Sequence, residues 1–150
     1  MSQFNRRTLV RGAAWSIPVV AVAAHSPAFA TSLAAPQPSG VTACKQPGGP
    51  NGPNCQGYRM TLNLTIQPGD TWTIDFTELR NDGTDVMATA SQTTFLAVSS
   101  TSSVLTFALC GNSSPSHFGL TLRYSATNDR TGETTTNLGG TFALSGIKNC

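Results

Sequence analysis

The stretch Tyr58-Arg59-Met60-Thr61-Leu62-Asn63-Leu64-Thr65-Ile66 decides the fold class: every even position is apolar and every odd internal position is polar. Successive side chains on a strand point to opposite faces, so this alternation describes a β-strand with one buried face. Gln67-Pro68-Gly69-Asp70 follows as a turn, and then Trp72, Ile74 and Phe76 alternate with Thr71, Thr73, Asp75 and Thr77. Two alternating runs around Pro-Gly predict a hairpin.

Working outward from there, the same pattern recurs at shorter length. Leu79 to Asp85 breaks the chain, and weaker strands are expected at 85–90, 93–98 and 103–109, with Leu105, Phe107 and Leu109 as core candidates. Gly111-Asn112-Ser113-Ser114-Pro115 reads as a loop. Leu120, Leu122, Tyr124 and Ala126 alternate with Thr121, Arg123, Ser125 and Thr127, and strands at 134–137 and 141–144 complete the chain. Seven or eight short strands, turn signals between them and no amphipathic helix predict an all-β antiparallel sandwich. An immunoglobulin-like arrangement is its leading version by architectural analogy. The antibody signature is absent, since Ala108 stands two residues before Cys110 where those domains carry Tyr, and no Cys precedes Trp72 at the usual interval.

Composition narrows the setting. Only 11% of residues are charged, against about 25% in ordinary soluble domains. Hydroxyls take their place: from Thr31 onward there are 20 Thr and 12 Ser. Three of the nine basic residues, Arg6, Arg7 and Arg11, sit at the start, while all seven acids come later, so residues 31–150 carry a formal charge of 6 − 7 = −1. A near-neutral domain has no electrostatic means of holding phosphates, which argues against a nucleic-acid partner.

The first thirty residues read as an export signal. Asn5-Arg6-Arg7-Thr8-Leu9-Val10-Arg11 precedes an apolar run from Gly12 to Ala24, broken by Ser16 and Pro18. A basic segment before a short apolar one is the layout of a signal peptide. The run falls short of the roughly 20 residues a spanning helix needs, so no permanent membrane anchor is expected. Ala28-Phe29-Ala30 offers small residues at the cleavage positions, with Val22-Ala23-Ala24 as runner-up. The Arg6-Arg7 pair with Leu9-Val10 behind it resembles the twin-arginine export signals common among actinobacteria, although Asn5 and Leu9 depart from the usual Ser/Thr and Phe. The resemblance covers residues 1–30 and implies passage through an export machinery as a folded chain. An ordinary Sec signal is the alternative. The expected organisation is a signal peptide at 1–30, a flexible Pro/Ser-rich lead-in at 31–43 and a sandwich domain at 44–150, secreted or held at the cell surface.

Four cysteines, Cys44, Cys55, Cys110 and Cys150, fall after the leader. An even count in a short exported chain predicts two disulfides, and the spacings do not suit a tight-paired zinc site. Eight of the ten residues between Cys44 and Cys55 are Pro, Gly or Asn, so a Cys44–Cys55 bridge stapling that loop, with Cys110–Cys150 as the second, is the expected pairing.

No motif calls for a cofactor. His117 lies near Ser113, Ser114 and Ser116, but a hydrolase triad needs a positioned carboxylate as well, and no Gly-x-Ser-x-Gly elbow exists. Asn81-Asp82-Gly83-Thr84-Asp85 is oxygen-rich, yet lacks the glutamate and spacing of an EF-hand and reads first as a turn. The sequence therefore predicts a non-enzymatic protein that binds an extracellular or cell-wall macromolecule through its surface, with the loop 44–55 as the first candidate for contact. Two alternatives stand beside it. One is an inhibitor of secreted proteases presenting that loop. The other is a small-ligand carrier, since this chain is similar to small two-disulfide, Thr/Ser-rich sandwich proteins among actinobacterial secretions, some of which hold a chromophore in a cleft.

Overall fold

Alternation in the sequence becomes burial in space. The computed structural model describes residues 33–49, 55–111 and 114–150. Tyr58, Met60, Leu62 and Leu64 of β2 (Gly57–Thr65) are buried, while Arg59 and Thr65 are exposed. β3 (Trp72–Asn81) buries Trp72, Ile74, Phe76 and Leu79, its register stepping by one residue at a bulge between Phe76 and Glu78. β7 (Phe118–Asn128) keeps the alternation over its whole length, with every even residue buried. These inward faces meet in one core, in which the Phe76, Phe95 and Phe107 rings contact one another in tilted or edge-on geometry. Each fully buried side chain of this size is worth about 1.5–3 kcal/mol.

The remaining strands are β1 (Gln37–Gln46), β4 (Thr84–Asp85), β5 (Thr94–Val98), β6 (Val104–Cys110) and β8 (Thr134–Leu144). All strand pairs are antiparallel. The smaller sheet has the order β1-β2-β6, and the larger runs β4-β3-β7-β8, with β5 also paired to β3. Because β7 occupies one edge of β3, β4 and β5 share the other, at opposite ends. First, second and sixth strands facing third, seventh and eighth is the immunoglobulin-like sandwich topology, with the intervening strands attached to the second sheet.

Five local expectations are corrected. The strand expected at 85–90 is instead the two-residue β4 followed by a single 3-10 turn at Met87–Thr89. The runs around Pro68-Gly69 do not form a hairpin: β2 and β3 lie in different sheets, and the turn crosses between them. Alternation reports that a strand has one buried face; it does not report which strand lies beside it. The expected lead-in at 31–43 contains most of β1. Pro36 is fully buried, and Pro38 is accommodated because β1 is an edge strand with a bulge between Pro38 and Gly40.

The disulfides join Cys44 to Cys150 and Cys55 to Cys110, not Cys44 to Cys55. Cys44 sits within β1 opposite Arg59, whereas Cys55 precedes Gly57, which pairs with Cys110 across β2 and β6. The second bridge therefore closes one end of the smaller sheet and does not span the sandwich as in antibody domains. Expected strands at 134–137 and 141–144 are one continuous β8, carried past Asn137 and Gly139 with positive φ of 60° and 99°.

Candidate binding face

The outward residues of β3, β5, β7 and β8 line up in rows because register fixes what lies sideways to what. Thr73, Thr127 and Thr134 form one row, and Thr94, Asp75 and Ser125 the next. Glu78 and Arg123 stand opposite Gly139, followed by Asp85, Arg80, Thr121 and Thr141. Neighbouring strands lie about 4.8 Å apart, so the result is a closely spaced grid of hydroxyls crossed by a charged stripe.

These side chains are held in place before anything binds. Thr127 and Thr134 share a hydrogen bond of 2.9 Å, as do Thr121 and Thr141 at 3.2 Å. Thr94 Oγ1 donates to Asp75 Oδ1 at 2.7 Å, and Thr73 Oγ1 donates to Asp129 Oδ1 at 2.8 Å. In the stripe, Arg80 Nε donates to Glu78 Oε1 at 2.6 Å, Arg123 Nε lies 3.5 Å from Glu78 Oε2, and Arg123 Nη1 donates to Asn137 Oδ1 at 2.9 Å. One carboxylate thus sits between two guanidiniums that keep further N–H donors facing solvent. The partly exposed ion pairs add little stability, but they fix direction. Leu96 on β5 is the most exposed large apolar residue described, at 73%.

The outer face of the smaller sheet is plainer: Thr42, Thr61 and Thr106 make one row, and Gly40, Asn63 and Val104 another.

The residues singled out in the sequence are placed as follows. Arg6, Arg7, Ala28 and Ala30, with the apolar run at 12–24, lie outside the described residues. Of the loop between Cys44 and Cys55, residues 50–54 also lie outside them, and no disulfide closes the loop. His117 is exposed in the connection between β6 and β7; among the described residues no hydrogen bond joins it to a serine or a carboxylate. The 81–85 segment is a turn in which Asp82 Oδ1 accepts the Gly119 N–H at 2.7 Å and Asp85 Oδ1 accepts the Met87 N–H at 2.9 Å. Among the described residues no group of three or more His, Cys, Asp or Glu could hold a metal ion, and no helix is long and apolar enough to cross a membrane.

Two shallow grooves lie elsewhere. One of about 320 Å³ runs between β1 and the end of β8, beside Val41, Ala43, Ala143 and Ile147. The other, about 200 Å³, is lined by Lys45, Gln46, Pro47, Gln56, Ser114 and Asn149.

No protein-family model, curated protein or solved structure matches this chain.

The grid is not visible in the sequence. Thr121, Arg123, Ser125 and Thr127 stand out only as the polar half of an alternation, Arg80 falls in the 79–85 break, and Glu78 lies just before it. The signal that could have found them is the excess of hydroxyls over charges on strand positions. Their assembly into rows depends on register, which alternation leaves open.

Proposed function

We propose that this protein is exported, loses residues 1–30, and acts outside the cell as a non-enzymatic binding module whose larger-sheet outer face engages a neutral, hydroxyl-rich polymer of the cell envelope. The observation that carries this reading is the pre-ordered grid of Thr and Ser hydroxyls around the Glu78–Arg80–Arg123 stripe. Hydroxyls both donate and accept, so such a grid matches a polysaccharide, whose own groups do the same. Side chains already fixed by hydrogen bonds lose little freedom on binding, which lowers the ordering cost. The low charge and the −1 balance fit a partner that offers few charges in return. Arg80 and Arg123 supply directional donors for ring and hydroxyl oxygens, and Leu96 offers one apolar contact at the margin.

Two disulfides are consistent with an oxidising extracellular setting. Export by the twin-arginine route rests on Arg6-Arg7 and is tested by replacing both with Lys, which should abolish secretion. The inhibitor reading loses its support with the stapled loop. The carrier reading has the groove beside β1 and β8, whose 320 Å³ lies at the small end for a ligand site.

The test is retention of the oxidised protein on isolated cell envelopes before and after enzymatic removal of their polysaccharide. Binding that disappears with the polysaccharide and persists in high salt supports the reading. Binding unaffected by that removal, or no binding, overturns it.

A further inference from the structure

The two disulfides differ in what surrounds them. Cys55 is fully buried and its partner Cys110 half-buried, while Cys150 is exposed and its partner Cys44 half-buried on an edge strand. Beyond β8 the chain turns at Gly146, where φ is 64°, and Ile147 plugs into the core with its N–H donating to the Ser116 carbonyl at 3.0 Å. Past Ile147 the chain lies parallel to the outer edge of β1. Lys45 N–H donates to the Lys148 carbonyl at 2.8 Å, and Cys150 N–H donates to the Lys45 carbonyl at 2.9 Å. Lys148, Asn149 and Cys150 are all exposed. Two backbone hydrogen bonds and one S–S bond therefore fasten this three-residue tail.

We propose that the Cys44–Cys150 bridge is a site of thiol–disulfide exchange, and that opening it releases the tail from the β1 edge. The reagent is a thiol, whether a small molecule or a dithiol carrier. Its thiolate attacks the exposed Cys150 sulfur; a new S–S bond forms there as the Cys44–Cys150 bond breaks, and Cys44 leaves as a thiolate that takes a proton from water. A second thiolate attacks the incoming sulfur, releases Cys150 as a thiol and completes an external disulfide. Two thiols are oxidised and one protein bridge is reduced.

Access decides which bridge reacts. Attack needs the nucleophile, the central sulfur and the leaving sulfur to come together, and Cys150 is already exposed in the folded protein. The other bridge has no exposed member: Cys55 is fully buried and Cys110 only half-buried at the end of β6, so attack on it leans more on local opening, which carries a free-energy cost. Loop entropy does not separate the bridges: sequence separations of 106 and 55 differ about twofold, and loop-closure entropy grows only with the logarithm of loop length. Release is local because Ile147 keeps its core packing and its Ser116 bond. What it uncovers is the N–H and C=O of Lys45, which extends the groove beside Val41 and Ala43 into a free strand edge able to accept another strand. This site lies apart from the proposed binding face and stands independently of it.

The oxidised protein is held in reduced glutathione under native conditions, trapped with N-ethylmaleimide at intervals and mapped by peptide mass spectrometry. Cys44 and Cys150 should be modified on the order of tenfold or more sooner than Cys55 and Cys110, with glutathione captured on Cys150. Hydrogen exchange at Lys45 should accelerate on opening while β2 and β6 stay protected. Equal rates for the two bridges, earlier opening of Cys55–Cys110, or unchanged protection at Lys45 would overturn the proposal. The double variant Cys44→Ser/Cys150→Ser fixes the opened state: a folded protein with fast exchange at Lys45 supports local release, and a globally unfolded one refutes it.

Discussion

Asp70 and Arg130, sixty positions apart, form a two-pronged ion pair: Arg130 Nε donates to Asp70 Oδ1 at 2.7 Å and Nη2 donates to Oδ2 at 2.8 Å. The Asp70 side chain is only 3% exposed while the Arg130 side chain is 64% exposed. Asn128 Nδ2 donates to the same Oδ2 at 2.7 Å, and the Asn128 Oδ1 accepts the backbone N–H groups of Arg130 and Thr131. The pair thus clamps the crossover between β2 and β3 to the turn between β7 and β8. The same crossover defeats the hairpin reading of Pro68-Gly69, since Asp70 is held by the far turn and not by a partner strand.

The clamp makes stability depend on acid. Hydrogen bonds from Arg130 and then Asn128 hold the Asp70 carboxyl at about 2, below its ordinary 3.8, against the opposing effect of burial. A carboxyl whose folded value is lowered stabilises the fold fully above its unfolded value and loses that contribution as pH falls through the folded one. The wild type should therefore melt higher than Asp70→Asn above about pH 4, and the gap should close toward pH 2. Thermal melts of both proteins across that range check this; a gap that stays constant would show that Asp70 acts through packing alone.

Gly139 answers to a different constraint. Its φ is 99°, and a Cβ there would stand 2.2 Å from the Leu122 carbonyl oxygen. Gly139→Ala should cost about 2 kcal/mol or more. Its neighbour Gly140 has nothing within 4 Å, so Gly140→Ala should stay within about 0.5 kcal/mol. Urea denaturation of the two variants separates them, and equal losses would contradict the close approach of β8 to β7.

Tyr124 ties the start of the domain to its core. The ring is fully buried and its hydroxyl donates to the Pro36 carbonyl at 2.7 Å, with burial raising the phenol well above its usual value. Tyr124→Phe keeps the ring and orphans a buried carbonyl, so a loss of about 1–2 kcal/mol is expected. The segment before β1 should become more susceptible to limited proteolysis; an unchanged cleavage pattern would mean that the apolar contacts of Leu33 and Ala35 suffice.

Legibility in the sequence followed the length of each alternating run. Tyr58 to Ile66 and Leu120 to Ala126 identified their strands and inward residues because one face of each meets the core. β1 stayed hidden because Pro36, Pro38, Ser39 and Gly40 read as loop, and an edge strand tolerates residues that a central strand rejects. The cysteine pairing was out of reach for a related reason. It depends on the C-terminal tail returning to β1, a contact across 106 positions that no local pattern reports. The Pro/Gly-rich segment favoured a short bridge that the strand position of Cys44 rules out. Within the candidate face, each hydroxyl was visible singly; the sideways rows came from register.

The most direct test of the binding face removes hydroxyls while keeping strand-forming shape. The triple variant Thr73→Val/Thr121→Val/Thr127→Val strips the larger sheet, and Thr42→Val/Thr61→Val/Thr106→Val does the same to the row on the opposite sheet. Affinity of each folded, oxidised variant for purified envelope polysaccharide is measured by calorimetry beside the wild type. The larger-sheet variant should bind on the order of tenfold more weakly, a change of about 1.4 kcal/mol, with the opposite-sheet variant within about twofold of wild type. Equal affinities for the two variants, or a greater loss from the opposite sheet, would contradict the assignment.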